Sequence, residues 1–274
     1  EYLWTGFDYI GEPTPWNGTG KGAQGTWPSP KNSYFGIIDT AGFPKDSYYF
    51  YQSQWNDEVN TLHILPAWNE DAVKKDSSGK VPVVVYTDAK KVELFFTDAK
   101  TGDKKSLGTK EFTQKQSNTQ GYTYQYYEGT DKSGTEHKNL YLTWQVPYKA
   151  GTISAVAYGQ DGQKISEEKL NGRTSVTTTG EKKNLKATVD RDTIAADGAD
   201  LTYVTVDVTD KDGNIIPNAE DKVSFKVEGE GKLVGIDNGR QDDHTSYQAN
   251  SRNAFAGKVL AIVQSTKKAG SFTV

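Results

Sequence analysis

The sequence contains no cysteine. Disulfides, thiolate metal sites and thiol nucleophiles are therefore excluded. Histidine is scarce: His63, His137 and His244 lie far apart, and none belongs to an H-x-x-x-H or H-E-x-x-H pattern. A histidine-based zinc site or a Ser-His-Asp triad has no support in such a pattern, and no metal or other cofactor is expected. No apolar run approaches the ~18 residues of a membrane-spanning helix, so membrane insertion is not expected. Neither sign of charge dominates, since 32 Lys and Arg face 36 Asp and Glu for a formal net charge of −4. Without a basic excess there is no electrostatic case for nucleic acid as a partner. An initiator methionine and a secretory leader are also absent. The opening Glu1-Tyr2-Leu3-Trp4 reads as the interior of something longer, as in a mature, processed or excised polypeptide.

Aromatic side chains are plentiful and unevenly placed. Residues 1–55 hold fourteen of the thirty-two Phe, Trp and Tyr but only eight charged residues, which sets this zone apart from the rest. Within it, Tyr2-Leu3-Trp4-Thr5-Gly6-Phe7 reads as a short buried strand. A long loop follows, studded with Pro13, Pro15, Gly18, Gly20, Gly22, Gly25, Pro28 and Pro30. Loops of this length are uncommon in compact domains unless they are functional. Phe43-Pro44-Lys45-Asp46 then opens a helix expected to run to about Trp55, with Tyr48, Tyr51, Gln52 and Trp55 at helical spacing. Strand, decorated loop and helix together have the form of the final βα unit of a (β/α)8 barrel, whose active sites lie at the carboxyl ends of the strands.

The remaining chain reads as strands. In residues 56–178 the strand candidates are 81–86, 91–96, 140–146 and 152–158, with turns at 98–103 and at Asp161-Gly162. In residues 183–274 they are 185–189, 201–208, 223–227, 258–264 and 270–274, with a turn at Asp212-Gly213-Asn214. Short strands with regular turns indicate a β-sandwich in each zone. The Thr-rich stretch 174–183 is the expected linker, and Val274 falls inside a strand pattern, as if that strand were cut short. The expected fold is thus mainly β: a terminal βα unit of a barrel (1–55) followed by two immunoglobulin-like β-sandwich domains (56–178 and 183–274).

Two segments resemble a known family. Trp4-Thr5-Gly6-Phe7-Asp8-Tyr9-Ile10-Gly11-Glu12-Pro13-Thr14-Pro15-Trp16 is similar to the last barrel strand and following loop of family-two glycoside hydrolases, the β-galactosidase group in particular. Ser33 through Asp46 is similar to the approach to that group's last barrel helix. Val234–Gly239 and Ser251–Gly257 resemble the terminal sandwich of the same hydrolases, and the large cell-surface enzymes of streptococcal type are the nearest group by this likeness. The resemblance implies a secreted or bacterial cell-surface protein. It also implies a retaining mechanism on terminal β-galactosides, with β-glucuronides and β-mannosides as alternatives. Both catalytic glutamates would then lie on barrel strands before Glu1, so no catalytic residue is expected here and the chain should be inactive alone. Its partners would be a β-galactoside glycan and the N-terminal barrel portion of the same enzyme. A non-catalytic surface adhesin or carbohydrate-binding module is the competing class.

Four residues are candidates for binding sugar. By the resemblance, Trp4 matches the barrel-end tryptophan of the sugar pocket, where an indole can stack on the apolar C–H face of a pyranose; packing inside a barrel is the other possibility. Trp16, on the loop, could shape the same subsite. Asp8 and Glu12 would either bond sugar hydroxyls and steady catalytic neighbours, or simply pin the loop through backbone N–H groups or an ion pair. Trp27 and Tyr34 are weaker candidates. Asp210-Lys211-Asp212-Gly213-Asn214 has the look of a calcium loop but lacks the downstream glutamate, so a hairpin turn is expected. Finally, Tyr122, Tyr124 and Tyr126 alternate along Gly121–Tyr127 and would share one face of a strand, either as a sugar-binding surface or as a half-buried face.

Overall fold

A computed structural model describes residues 2–13, 30–119, 121–130 and 136–274. It is built mainly of strands and forms two compact units, Asp46–Thr178 and Glu1–Lys45 together with Thr179–Val274.

The Asp46–Thr178 unit begins with helix α1 (Asp46–Trp55), which starts just after Pro44 and carries Asp46 in its first turn, where a carboxylate suits the exposed N–H groups. Strands β1 (Asn60–Leu65), β2 (Lys80–Thr87), β3 (Lys91–Asp98), β4 (Lys104–Glu111), β5 (Thr113–Gln116), β6 (Thr123–Thr130), β7 (Glu136–Asn139), β8 (Leu142–Pro147), β9 (Gly151–Tyr158), β10 (Leu170–Asn171) and β11 (Ser175–Thr177) follow. One sheet has the order β10-β1-β2-β8 and a second β11-β9-β3-β4. Period-2 alternation puts Val81, Val83 and Val85 of β2, Val92, Leu94 and Phe96 of β3, and Ile153, Ala155 and Ala157 of β9 into one shared core. Trp68 is fully buried there, and its indole N–H is satisfied by the Lys149 carbonyl at 2.9 Å. A third sheet, β5-β6-β7, is an antiparallel meander.

In the other unit, β12 (Asn184–Val189), β13 (Leu201–Thr209), β14 (Lys222–Ser224), β15 (Glu228–Gly229), β16 (Gly231–Asp237), β17 (Ser251–Asn253), β18 (Lys258–Ser265) and β19 (Phe272–Thr273) give a sheet of order β12-β13-β18-β16 and the pairs β14-β17 and β15-β19. Val204, Val206, Val223, Phe225, Ile236, Val259, Ala261 and Val263 form its core. The Asp210 stretch is a hairpin turn: the Asp210 carboxylate accepts from the backbone N–H groups of Gly180, Asp212 and Asn214 and leaves the chain to return at the Thr209–Ile215 bridge.

The first segment departs from expectation. Residues 2–7 do not form a strand, and Tyr2, Trp4 and Phe7 are exposed, Trp4 by 72%. The backbone finds only isolated partners, chiefly a parallel bridge between Phe7 and Ile38, with the Asp8 N–H on the Ile38 carbonyl at 2.9 Å. Among the described residues no strand flanks this segment on each side, so the apolar pattern has no sheet to join.

Candidate functional site

Trp4, Asp8 and Glu12 share one short run of chain, and the structure sends their side chains in two directions. On the outer side, the Tyr9 hydroxyl donates to the Glu12 carboxylate, with the Trp4 side chain beside it. Gly11, with φ +107, and Glu12, itself left-handed with φ 41, make the turn that brings this carboxylate back onto Tyr9. The hydrogen bond to Glu12 pushes the Tyr9 phenol above its ordinary range, so Tyr9 keeps its proton at neutral pH. The Trp4–Thr5 peptide is cis.

Asp8 points the other way and is 5% exposed. Its carboxylate pairs with Lys45 Nζ at 2.7 Å, accepts from the Gly36 N–H at 2.8 Å and meets Gln241 Nε2 at 3.4 Å. Asp8 is thus engaged by an ion pair, a backbone N–H and an amide. The Lys45 ammonium also lies 4.0 Å from the Tyr34 ring centroid, so Asp8 fixes a cation beneath an exposed aromatic. Gly36 is obligatory at this crossing, because a Cβ there would stand 2.2 Å from the Asp8 nitrogen.

The structure thus joins Glu12 to Tyr9 beside Trp4 and places Asp8 with Lys45 and Tyr34. Trp16 and Trp27 lie outside the described residues. Tyr9 and Lys45 were not singled out as functional from sequence, although both sit inside the matched segments. Among the described residues no cluster of His, Asp and Glu could hold a metal ion, and no helix is long and apolar enough to cross a membrane.

A second set of charged groups braces the same unit. Arg252, whose side chain is fully buried, pairs with Asp237 at 3.3 Å and Asp243 at 3.5 Å. Asp39 accepts from the Ala41 and Phe43 N–H groups, and its other carboxylate oxygen lies against Gly239. Burial, with smaller contributions from Asp237 and Asp8, pushes Asp39 up to about 6. A raised carboxyl is often a sign of catalysis. Here one of its oxygens is engaged by the backbone of its own turn and the other lies against Gly239.

Residues 185–274 match the family model described as glycoside hydrolase family 2 C-terminal domain 5, and residues 78–166 match a domain of unknown function, DUF4982. The chain is 34% identical over 98% of its length to the β-galactosidase BoGH2A of Bacteroides ovatus. The chain belongs to glycoside hydrolase family 2. Its likeness is to the C-terminal region of that family, since it spans 26% of the Bacteroides ovatus relative. A putative β-glucuronidase of Formosa agariphila is 32% identical over 96% of the chain, which covers 21% of that relative. Among solved structures, a β-glycosidase from Bacteroides vulgatus superposes with a TM-score of 0.70 at 29% identity, over 97% of this chain and 27% of that one. The family-2 likeness therefore includes residues 2–45 as well as both sandwiches.

Proposed function

We propose that this chain is the C-terminal portion of a retaining family-2 β-galactosidase that hydrolyses terminal β-galactosides of glycans. Residues 1–55 would supply the last βα unit of its (β/α)8 barrel, and the sandwiches would buttress it. The observation that carries this reading is the exposed Trp4 indole beside the Tyr9–Glu12 pair, on a segment included in the 34% identity to a β-galactosidase. An exposed indole presents a flat apolar face, which suits the C–H face of a sugar. Glu12 is placed to accept from a sugar hydroxyl beside it, Trp16 would line the same subsite from the loop, and Asp8 would act at one remove, by holding Lys45 and Tyr34. Retention requires two carboxyl groups about 5–5.5 Å apart, and this reading assigns both to the N-terminal barrel portion. The parent is read as secreted or cell-surface, with which the lack of cysteine is compatible.

The Formosa agariphila relative, a putative β-glucuronidase, favours a second specificity for the same machinery. The test is to assay the full-length parent on chromogenic β-galactoside, β-glucuronide and β-mannoside, with and without Trp4→Ala. The expected result is preference for the galactoside and a fall in kcat/KM of about tenfold or more in the variant, the size of one lost stacking contact. An unchanged kcat/KM would remove Trp4 from the pocket, and preferred turnover of another sugar would replace the assigned specificity.

A further inference from the structure

The β5-β6-β7 meander has two chemically different faces. One is turned to the body of its own sandwich: Gln125 donates to the Asp88 carbonyl at 3.0 Å, and Tyr127 bonds Lys110 at 2.6 Å and packs against the core. The other face carries Tyr122, Tyr124 and Tyr126 in a row, with ring centroids 6.3 and 6.1 Å apart. Tyr122 is 55% exposed and Tyr124 36%, while the half-buried Tyr126 ring is capped by the Lys138 ammonium 5.1 Å from its centroid. Strand register puts Thr113 opposite Tyr126, Lys115 opposite Tyr124, and Glu128 opposite Lys138 on this same face.

We infer that this row is a binding platform for an extended β-linked glycan, distinct from the sugar pocket proposed above. The occupant follows from the chemistry of the face. A protein partner is normally met by a broad patch with an apolar centre. The aromatic row is one strand wide, and Thr113, Lys115, Glu128 and Lys138, which the strand register puts beside it, are all hydrogen-bonding residues. A pyranose has the complementary form, an apolar C–H face with hydroxyls around its rim. Successive rings would stack on successive sugars, and Lys115, Glu128 and Lys138 would bond the rim. The membership of the chain in a carbohydrate-active family makes such a ligand available to it. The platform lies within the domain of unknown function at residues 78–166 and assigns that domain a role in holding substrate polymer near the enzyme.

The test uses the whole 274-residue chain in native affinity electrophoresis, with soluble β-1,4-galactan or arabinoxylan cast in the gel. Binding is read without turnover, so the result is separate from the fate of the β-galactosidase reading. The chain is expected to be retarded by at least one of the two polymers. Tyr122→Ala/Tyr124→Ala should weaken that retardation about tenfold or more. Should the double variant fail to fold by circular dichroism, Tyr122→Ala alone, at the most exposed ring, serves in its place with an expected loss of about threefold. Absence of retardation by both polymers, or equal retardation of wild type and a folded variant, overturns the inference.

Discussion

At the scale of single residues, charged groups inside the Glu1–Lys45 and Thr179–Val274 unit are held for position. Arg252 is buried with two aspartates beside it, and Asp8 is buried with Lys45; removing one partner from such a pair leaves an uncompensated charge. Asp39 is different because burial raises it, from 3.8 to about 6, with no cation among the causes. The folded state therefore binds this proton more tightly than the unfolded chain does. The stability it confers is complete below about pH 4 and is lost as pH rises through about 6. Asp39→Asn keeps an acceptor for Ala41 and Phe43 and removes the charge. Its melting temperature should match wild type near pH 4 and exceed it at pH 7, as read by thermal unfolding across that range. Parallel curves for the two proteins would show that Asp39 does not titrate as described.

At the scale of elements, the core strands follow from alternation. β3 places Val92, Leu94 and Phe96 inward and Lys91, Glu93 and Phe95 outward, between β4 and β9. Leu94→Ala should cost about 2–5 kcal/mol in urea unfolding, and Glu93→Ala within about 0.5 kcal/mol; equal effects would mean that the register of β3 is wrong. Strands of this kind were legible in the sequence, and so were the turns at Asp98–Asp103 and Asp161-Gly162. β4, β5 and β7 were not, because Lys104–Glu111, Thr113–Gln116 and Glu136–Asn139 offer no continuous apolar face to mark them. The aromatic run at residues 2–7 was legible as apolar but not as exposed, since periodicity cannot say whether neighbouring strands are there to cover it. The candidate site was half visible. Trp4 and Glu12 could be chosen by type, whereas the closure of Glu12 onto Tyr9 depends on a left-handed turn at Glu12, and the pairing of Asp8 with Lys45 and Gln241 joins positions far apart in the chain.

At the scale of the whole molecule, two compact units together span 26% of the length of a β-galactosidase relative. Tyr2, Trp4, Phe7 and Ile10 stand exposed along one short stretch of the first segment. On the proposed reading these side chains meet the rest of the barrel and its sugar, and the sandwiches serve as scaffold and polymer platform. On the same reading the catalytic carboxylates belong to the N-terminal portion and none to this chain. The most direct measurement is hydrolysis of a chromogenic β-galactoside by the purified 274-residue chain, beside the full-length parent at equal concentration. Turnover by the parent and none by the chain is the expected result. Turnover by the chain that survives repurification and tracks with its own elution profile would contradict it, and would place the catalytic pair within these residues.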